Sequence, residues 1–257
     1  MKSCLIVFFL FLSTVHNPSQ ENYPLRKYAH VKNFYKGISK EATKLCLDNN
    51  IPPASLLAIA GLESGWDSGY IGQITGNILS LGARKRDTEL PALRLPRVKK
   101  TNKILYDSLE ISKYKPEELI WENRPKSLKK DYRPKRMAGS IYELAYFKYN
   151  PKAKKAAQIA NMTDFVTVFI SRKSRIKAYR ETRRKMDSLV NVHGKEILLK
   201  EQTAIDFVHG IGGKKNSYNY RETWPKKVIY IIKKAGLVEF TKELNEGKNF
   251  NESWNQK

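Results

Sequence analysis

Ile51-Pro-Pro-Ala-Ser-Leu-Leu-Ala-Ile-Ala-Gly-Leu-Glu-Ser-Gly-Trp66 is the stretch that decides how this chain folds. Asn49-Asn50 and Pro52-Pro53 break the helix before it, and a second helix is predicted over about 54–64. Leu56, Ile59 and Glu63 are spaced seven and four residues apart, so they share one helical face. That places a carboxyl group on an apolar face near a helix end. Low-dielectric surroundings disfavour a charged carboxylate and raise its pKa. A carboxylic acid tuned in this way keeps its proton near neutral pH and can donate it to the oxygen of a breaking glycosidic bond. Gly61 and Gly65 leave room for a bulky polymer, and the ring of Trp66 offers a face for a sugar. The same spacing also fits an ordinary charged residue at a helix end, with Gly65 a simple stop.

Working outward, Ser39 is a candidate N-cap for a helix to Asp48 with Ala42, Leu45 and Cys46 on its apolar stripe. Residues 67–135 are rich in Gly, Pro and charge, and predict loops, short helices and a small hairpin. Helical patterns return at about 138–148, 151–160, 163–190 and 200–209. The last strong helix spans 224–235, with Thr223 as N-cap, Pro225 in its first turn and Gly236 as its stop. Residues 241–257 read as a polar tail.

Hydrophobic residues make up 41% of the 257 residues, enough for a packed core, so global disorder is excluded. Two cysteines exclude a disulfide framework or a multi-cysteine metal site, and Cys46 reads as a small core residue. The four histidines, His16, His30, His193 and His209, lack the spacing of a helical zinc pair. No metal site and no cofactor is expected. The net charge of +23 calls for a polyanionic partner. Lys2 followed by the apolar run Leu5–Leu12 reads as an export signal over residues 1–20, cleaved or retained as an anchor. Loss of Lys2, the one charged residue in that segment, takes +23 to +22. Export disfavours nucleic acid and points to the periplasm or cell envelope. Basic runs at 84–100, 124–136 and 172–185 fit either an acidic working surface or solvated faces.

Residues 51–83 resemble the glucosaminidase domain of bacterial endo-β-N-acetylglucosaminidases, which are peptidoglycan hydrolases. The family pattern Leu-x-x-Ala-x-x-Glu-Ser-Gly-Trp is matched from Leu57 to Trp66. A second family stretch is matched by Asn77-Ile-Leu-Ser-Leu81, with Leu79 and Ser80 where Phe and Gly are usual. Towards the C-terminus, Asp164–Arg183, Gly210–Gly213, Ser217–Arg221 and Trp224–Val228 resemble the supporting helix, aromatic loop and final helix of the Bax-like branch. The middle, about 84–160, matches no family motif and reads as an insertion within a catalytic domain over 21–240.

The resemblance implies a mainly α (α+β, lysozyme-like) fold, a helical bundle with a cleft and a small irregular or β-containing lobe. It implies a monomeric exported hydrolase of the β-1,4 bond after N-acetylglucosamine, acting on peptidoglycan glycan strands among other anionic envelope polymers. Glu63 takes the general-acid role. Tyr218, Tyr220 and Trp224 line the sugar site, beside Trp66 and with Asn77 as a hydrogen-bonder of the cleft. Asp87 and Glu89 are the nearest acids downstream of the second motif, and Glu89 is the candidate second carboxylate. The substrate's own N-acetyl group is the alternative. A lytic transglycosylase or muramidase is the neighbouring reading, although no Gly-Leu-Met-Gln stretch follows Glu63. A non-catalytic wall-binding protein is the reading from another class.

Overall fold

In this computed structural model, which describes residues 23–255, a helix buried on all sides organises the fold. The helices in chain order are α1 (Ala29–Asp48), α2 (Pro53–Ser64), α3 (Tyr70–Thr75), α4 (Ser108–Ile111), α5 (Tyr146–Tyr149), α6 (Pro151–Asp164), α7 (Lys177–His193), α8 (Glu201–Ile211), α9 (Thr223–Lys234), α10 (Leu237–Asn245) and α11 (Phe250–Trp254). Every residue from Pro53 to Gly61 is buried. A helix apolar around its whole circumference belongs in the middle of a bundle. Accordingly α2 packs against α1, α8, α9 and α10. The single apolar face expected for Leu56 and Ile59 is thus replaced by burial all round.

Helix makes up 56% of the described residues, which hold one two-stranded antiparallel sheet, so the fold is mainly α, as expected. Strands β1 (Leu93–Val98) and β2 (Leu119–Arg124) pair from Leu93 opposite Arg124 to Val98 opposite Leu119. They cover two small apolar clusters, one around Ile74, Leu90 and Leu95, the other around Leu105. This β-containing lobe is fastened by bridges that pair Gly82 with Lys129 and Glu89 with Lys130.

Four expectations are corrected. Helix α1 begins ten residues before Ser39, which is a buried mid-helix residue rather than a cap, because Val31, Phe34, Tyr35 and Ile38 extend the core stripe upstream. The helix expected at 138–148 shrinks to Tyr146–Tyr149. There the fully buried guanidinium of Arg133 is paired with Asp131 and draws in the carbonyls of Ser140 and Tyr142, which a helix would have used internally. The helix expected over 163–190 breaks after a π-helical stretch, Phe165–Phe169, and resumes at Lys177. Arg183 donates to the freed carbonyls of Val166 and Ile170.

The fourth correction is the polar tail. Trp254 is buried against Phe240 and Phe250, and Thr241 and Glu243 are buried too. Arg26 staples the two ends of the described chain. Its guanidinium donates to the carbonyls of Ala235 (2.9 Å), Gly236 (3.0 Å), Ser253 (3.1 Å) and Trp254 (2.8 Å). Burial lowers its pKa to about 10. The expected export segment, 1–20, lies outside the described residues. No helix among the described residues is long and apolar enough to cross a membrane.

Candidate active site

Glu63 sits in the last turn of α2 and is half-buried. The chain then makes an abrupt exit, with Gly65, Trp66 and Asp67 all at positive φ (58°, 51° and 64°). Non-glycine residues in that region are uncommon and are held there by surrounding structure. Four contacts do the holding. The Ser64 hydroxyl donates to Ala60 O (2.7 Å) and accepts from the Asp67 amide (2.9 Å), Lys154 pairs with Asp67 (2.5 Å), and the Trp66 indole donates to the Tyr35 hydroxyl (3.3 Å). Ser64 is thus a helix-end hydrogen-bonder.

The Glu63 carboxyl faces α9, where Trp224 Nε1 donates to Glu63 Oε1 at 2.8 Å. Burial raises the Glu63 pKa, against the opposing effects of that hydrogen bond and of the charges on Lys129 and Arg221. Burial likewise lowers the Lys129 pKa, while Glu63 opposes the shift. Lys129 Nζ donates to Ser80 O at 2.7 Å, so the cation is fixed rather than swinging in solvent.

The loop between α8 and α9 closes another side. The Tyr218 amide donates to Ile211 O (2.7 Å), and its hydroxyl donates to the carbonyl of Leu79. Its ring packs on Trp224 (5.3 Å between centroids) and edge-on to Phe165. Burial drives the Tyr218 phenol well above its ordinary pKa, helped by the nearby Glu63, Tyr179 and Tyr132. Tyr218 is therefore a neutral hydroxyl beside the acid.

The structure brings together Glu63, Tyr218 and Trp224, and it corrects what two of the expected binding residues do. Trp224 is 3% exposed and presents only its N–H edge to Glu63. Its ring lies against Gly212, where a Cβ would meet it at 2.2 Å, so it is no stacking platform for a sugar. Asn77 is 3% exposed and fully engaged within the protein. Its side chain donates to Leu81 O and Lys130 O and accepts from the Leu81 amide and Asn161 Nδ2. It shapes the Leu79–Leu81 turn and has no hydrogen-bonding capacity left for substrate. Ser80 in that turn has φ 54°, so the position where the family pattern carries glycine keeps the left-handed conformation that favours it.

Tyr220 is 71% exposed on the loop rim. Trp66 belongs to a separate aromatic group with Tyr35 and His30, beside a shallow apolar surface shared with Tyr230. Glu89 is ion-paired with Lys126. Among the described residues no cluster of His, Cys, Asp and Glu is arranged to hold a metal ion.

Sequence reading missed Lys129 and Tyr132, and placed Tyr179 only within the cleft-supporting stretch Asp164–Arg183. Lys129 and Tyr132 fall in the basic run 124–136, whose charge drew attention to solvent. Only the bridge pairing reveals that this run lines the acid's surroundings. Nearby, Lys130 joins Asp87 (3.2 Å) to Asp164 (2.5 Å), and the Tyr132 hydroxyl donates to Asp164 (2.9 Å). Burial alone would raise the pKa of Asp87. Hydrogen bonds from the Arg84 side chain and amide and from Lys130 instead hold it at about 2.

No protein-family model matches this chain, and no curated protein matches it significantly by sequence. Among solved structures, the catalytic domain of the autolysin Auto from Listeria monocytogenes aligns with a TM-score of 0.42 and 15% identity, over 82% of this chain and 88% of that one. Superposition at this level leaves function to be read from the site's own chemistry.

Proposed function

We propose that this protein is an exported glycoside hydrolase of peptidoglycan, with Glu63 as general acid. The observation that carries the reading is a half-buried glutamic acid of raised pKa, oriented by an indole N–H and flanked by a fixed lysine. In this mechanism Glu63 gives its proton to the glycosidic oxygen as the bond from the anomeric carbon to that oxygen breaks. Water supplies the hydroxyl that ends on the anomeric carbon, and its proton leaves to a base. Tyr218 and Tyr220 contact the sugar, with Trp66 further along the strand. The bond cut is the β-1,4 link after N-acetylglucosamine.

Glu89 is the candidate for the second carboxylate. Two-carboxylate glycosidases hold the pair about 5–5.5 Å apart for a covalent route, or about 6.5–9.5 Å apart for direct attack by water. A second reading draws on the fact that the charges acting on Glu63 come from Lys129 and Arg221, both cations. That surrounding suits a single-carboxylate mechanism, in which a group of the substrate itself attacks. This includes a lytic transglycosylase that closes an anhydro ring.

Digestion of purified sacculi with mass spectrometry of the fragments tests the assignment. Reducing-end N-acetylglucosamine supports the hydrolase, and anhydro-muramic ends support the transglycosylase. Binding with no release of either would leave a non-catalytic wall-binding protein. Glu89→Gln distinguishes the mechanisms, since only the two-carboxylate route loses turnover with it.

A further inference from the structure

Two of the basic runs, separated by about 80 residues in sequence, converge on one groove. Its volume is about 780 Å³, within the about 300–1,000 Å³ typical of ligand sites. The floor is apolar, made by Val168, Phe169, Ile176 and Tyr179. The π-helical stretch, after which the helix breaks, carries Val168 and Phe169. Such π-turns interrupt helices frequently at functional sites. The rim is cationic, with Lys85 and Arg86 from one run and Lys173 and Arg175 from the other. All four are exposed, and none has an ion-pair partner among the described residues. The one acid in the lining, Asp87, is already engaged by Arg84 (2.7 Å) and Lys130 (3.2 Å). The groove therefore offers an apolar floor under uncompensated positive charge. Tyr179 belongs to its lining and also lies near Tyr218, which adjoins Glu63.

We propose that this groove is a subsite for short acidic peptides carried on the glycan, with carboxylates at the Lys and Arg rim and aliphatic side chains on the Phe169 floor. This rests on the glycan-hydrolase reading for its ligand and goes beyond it in naming what part of the substrate is recognised away from the scissile bond. The combination of floor and rim favours a peptide over a sugar or a phosphate chain. A sugar needs no charge, and a polyphosphate has nothing to place on an apolar floor.

The test uses the full chain carrying Glu63→Gln, so that binding is read without cleavage. Two soluble glycans are compared, one bearing its peptides and one stripped of them by an amidase. The protein is expected to bind the peptide-bearing glycan about tenfold more tightly, the summed effect of several individually weak exposed charge contacts. The variant K85Q/R86Q/K173Q/R175Q is expected to bring that ratio close to one, and K85R/K173R to keep it. Circular dichroism checks that each variant is folded. Equal affinity of the parent for both glycans, or an unchanged ratio in the quadruple variant, overturns the proposal. So does a quadruple variant that loses affinity for polyphosphate alone. Independently, if the native chain cleaves neither glycan while the binding ratio behaves as expected, the hydrolase reading fails and the groove stands.

Discussion

Trp224 donates its indole N–H to the carboxyl of Glu63 across 161 residues of sequence at 2.8 Å, and its ring seals against Gly212 with no room for a Cβ. The aromatic residue beside the acid is thus a positioning residue. It orients one carboxyl oxygen and leaves the other for a proton.

Glu63→Gln should lower turnover by about 10²–10⁴-fold, the usual cost of losing a general acid. The same change should stabilise the fold at neutral pH. Burial raises the native pKa above the ordinary 4.5, so the native state holds a proton that the unfolded chain releases. Stability contributed by this group is complete below 4.5 and is lost as pH rises through the native pKa. The glutamine keeps an oxygen for the Trp224 N–H and has no charge to desolvate. Denaturant midpoints at pH 4 and pH 7 should therefore diverge in favour of the variant at the higher pH. A wild-type turnover rate in the variant sinks the assignment of the acid.

Trp224→Phe should move the alkaline limb of the pH–rate profile upward. The indole hydrogen bond lowers the Glu63 pKa, and a general acid works only while protonated. A limb that stays in place would mean that another group sets it. Gly212→Ala tests the packing from the other side, since its methyl must displace the indole ring. It should cost about 1–3 kcal/mol by overpacking and weaken catalysis together with stability.

Arg133→Met should destabilise by about 3–5 kcal/mol, because Asp131 would remain buried without its cation. The segment 138–145, whose carbonyls Arg133 holds, should become the first to exchange its amide hydrogens. Thermal unfolding and hydrogen exchange read the two effects separately.

Trp254→Ala should cost about 3–5 kcal/mol, as for other large buried aromatics. A polar, unattached tail would show no change in melting temperature. The expected loss follows from the stacking of Trp254 on Phe250 and from Arg26, which binds the Trp254 carbonyl.

The sequence alone determined the central helix, its stop at Gly65 and the acid in its final turn. These depend on an unbroken apolar run, a proline start and a glycine end, all local to some fifteen residues. It also determined the α9 helix, whose Pro225 and Gly236 are equally local signals. Tertiary structure decided what those residues do. Asn77 turned from a cleft residue into the buried brace of the Leu79–Leu81 turn, and Arg183 from a surface charge into a partner for Asp187 and two freed carbonyls. The helix expected at 138–148 was shortened to Tyr146–Tyr149 by a guanidinium that competes for the carbonyls before it. Helical periodicity is a short-range property, set by side chains three and four residues apart. Which carbonyl meets which guanidinium, and which carboxyl meets which indole, depends on how separate segments pack, from 7 residues apart for Arg133 and Ser140 to 161 for Glu63 and Trp224, and no helical periodicity encodes that pairing.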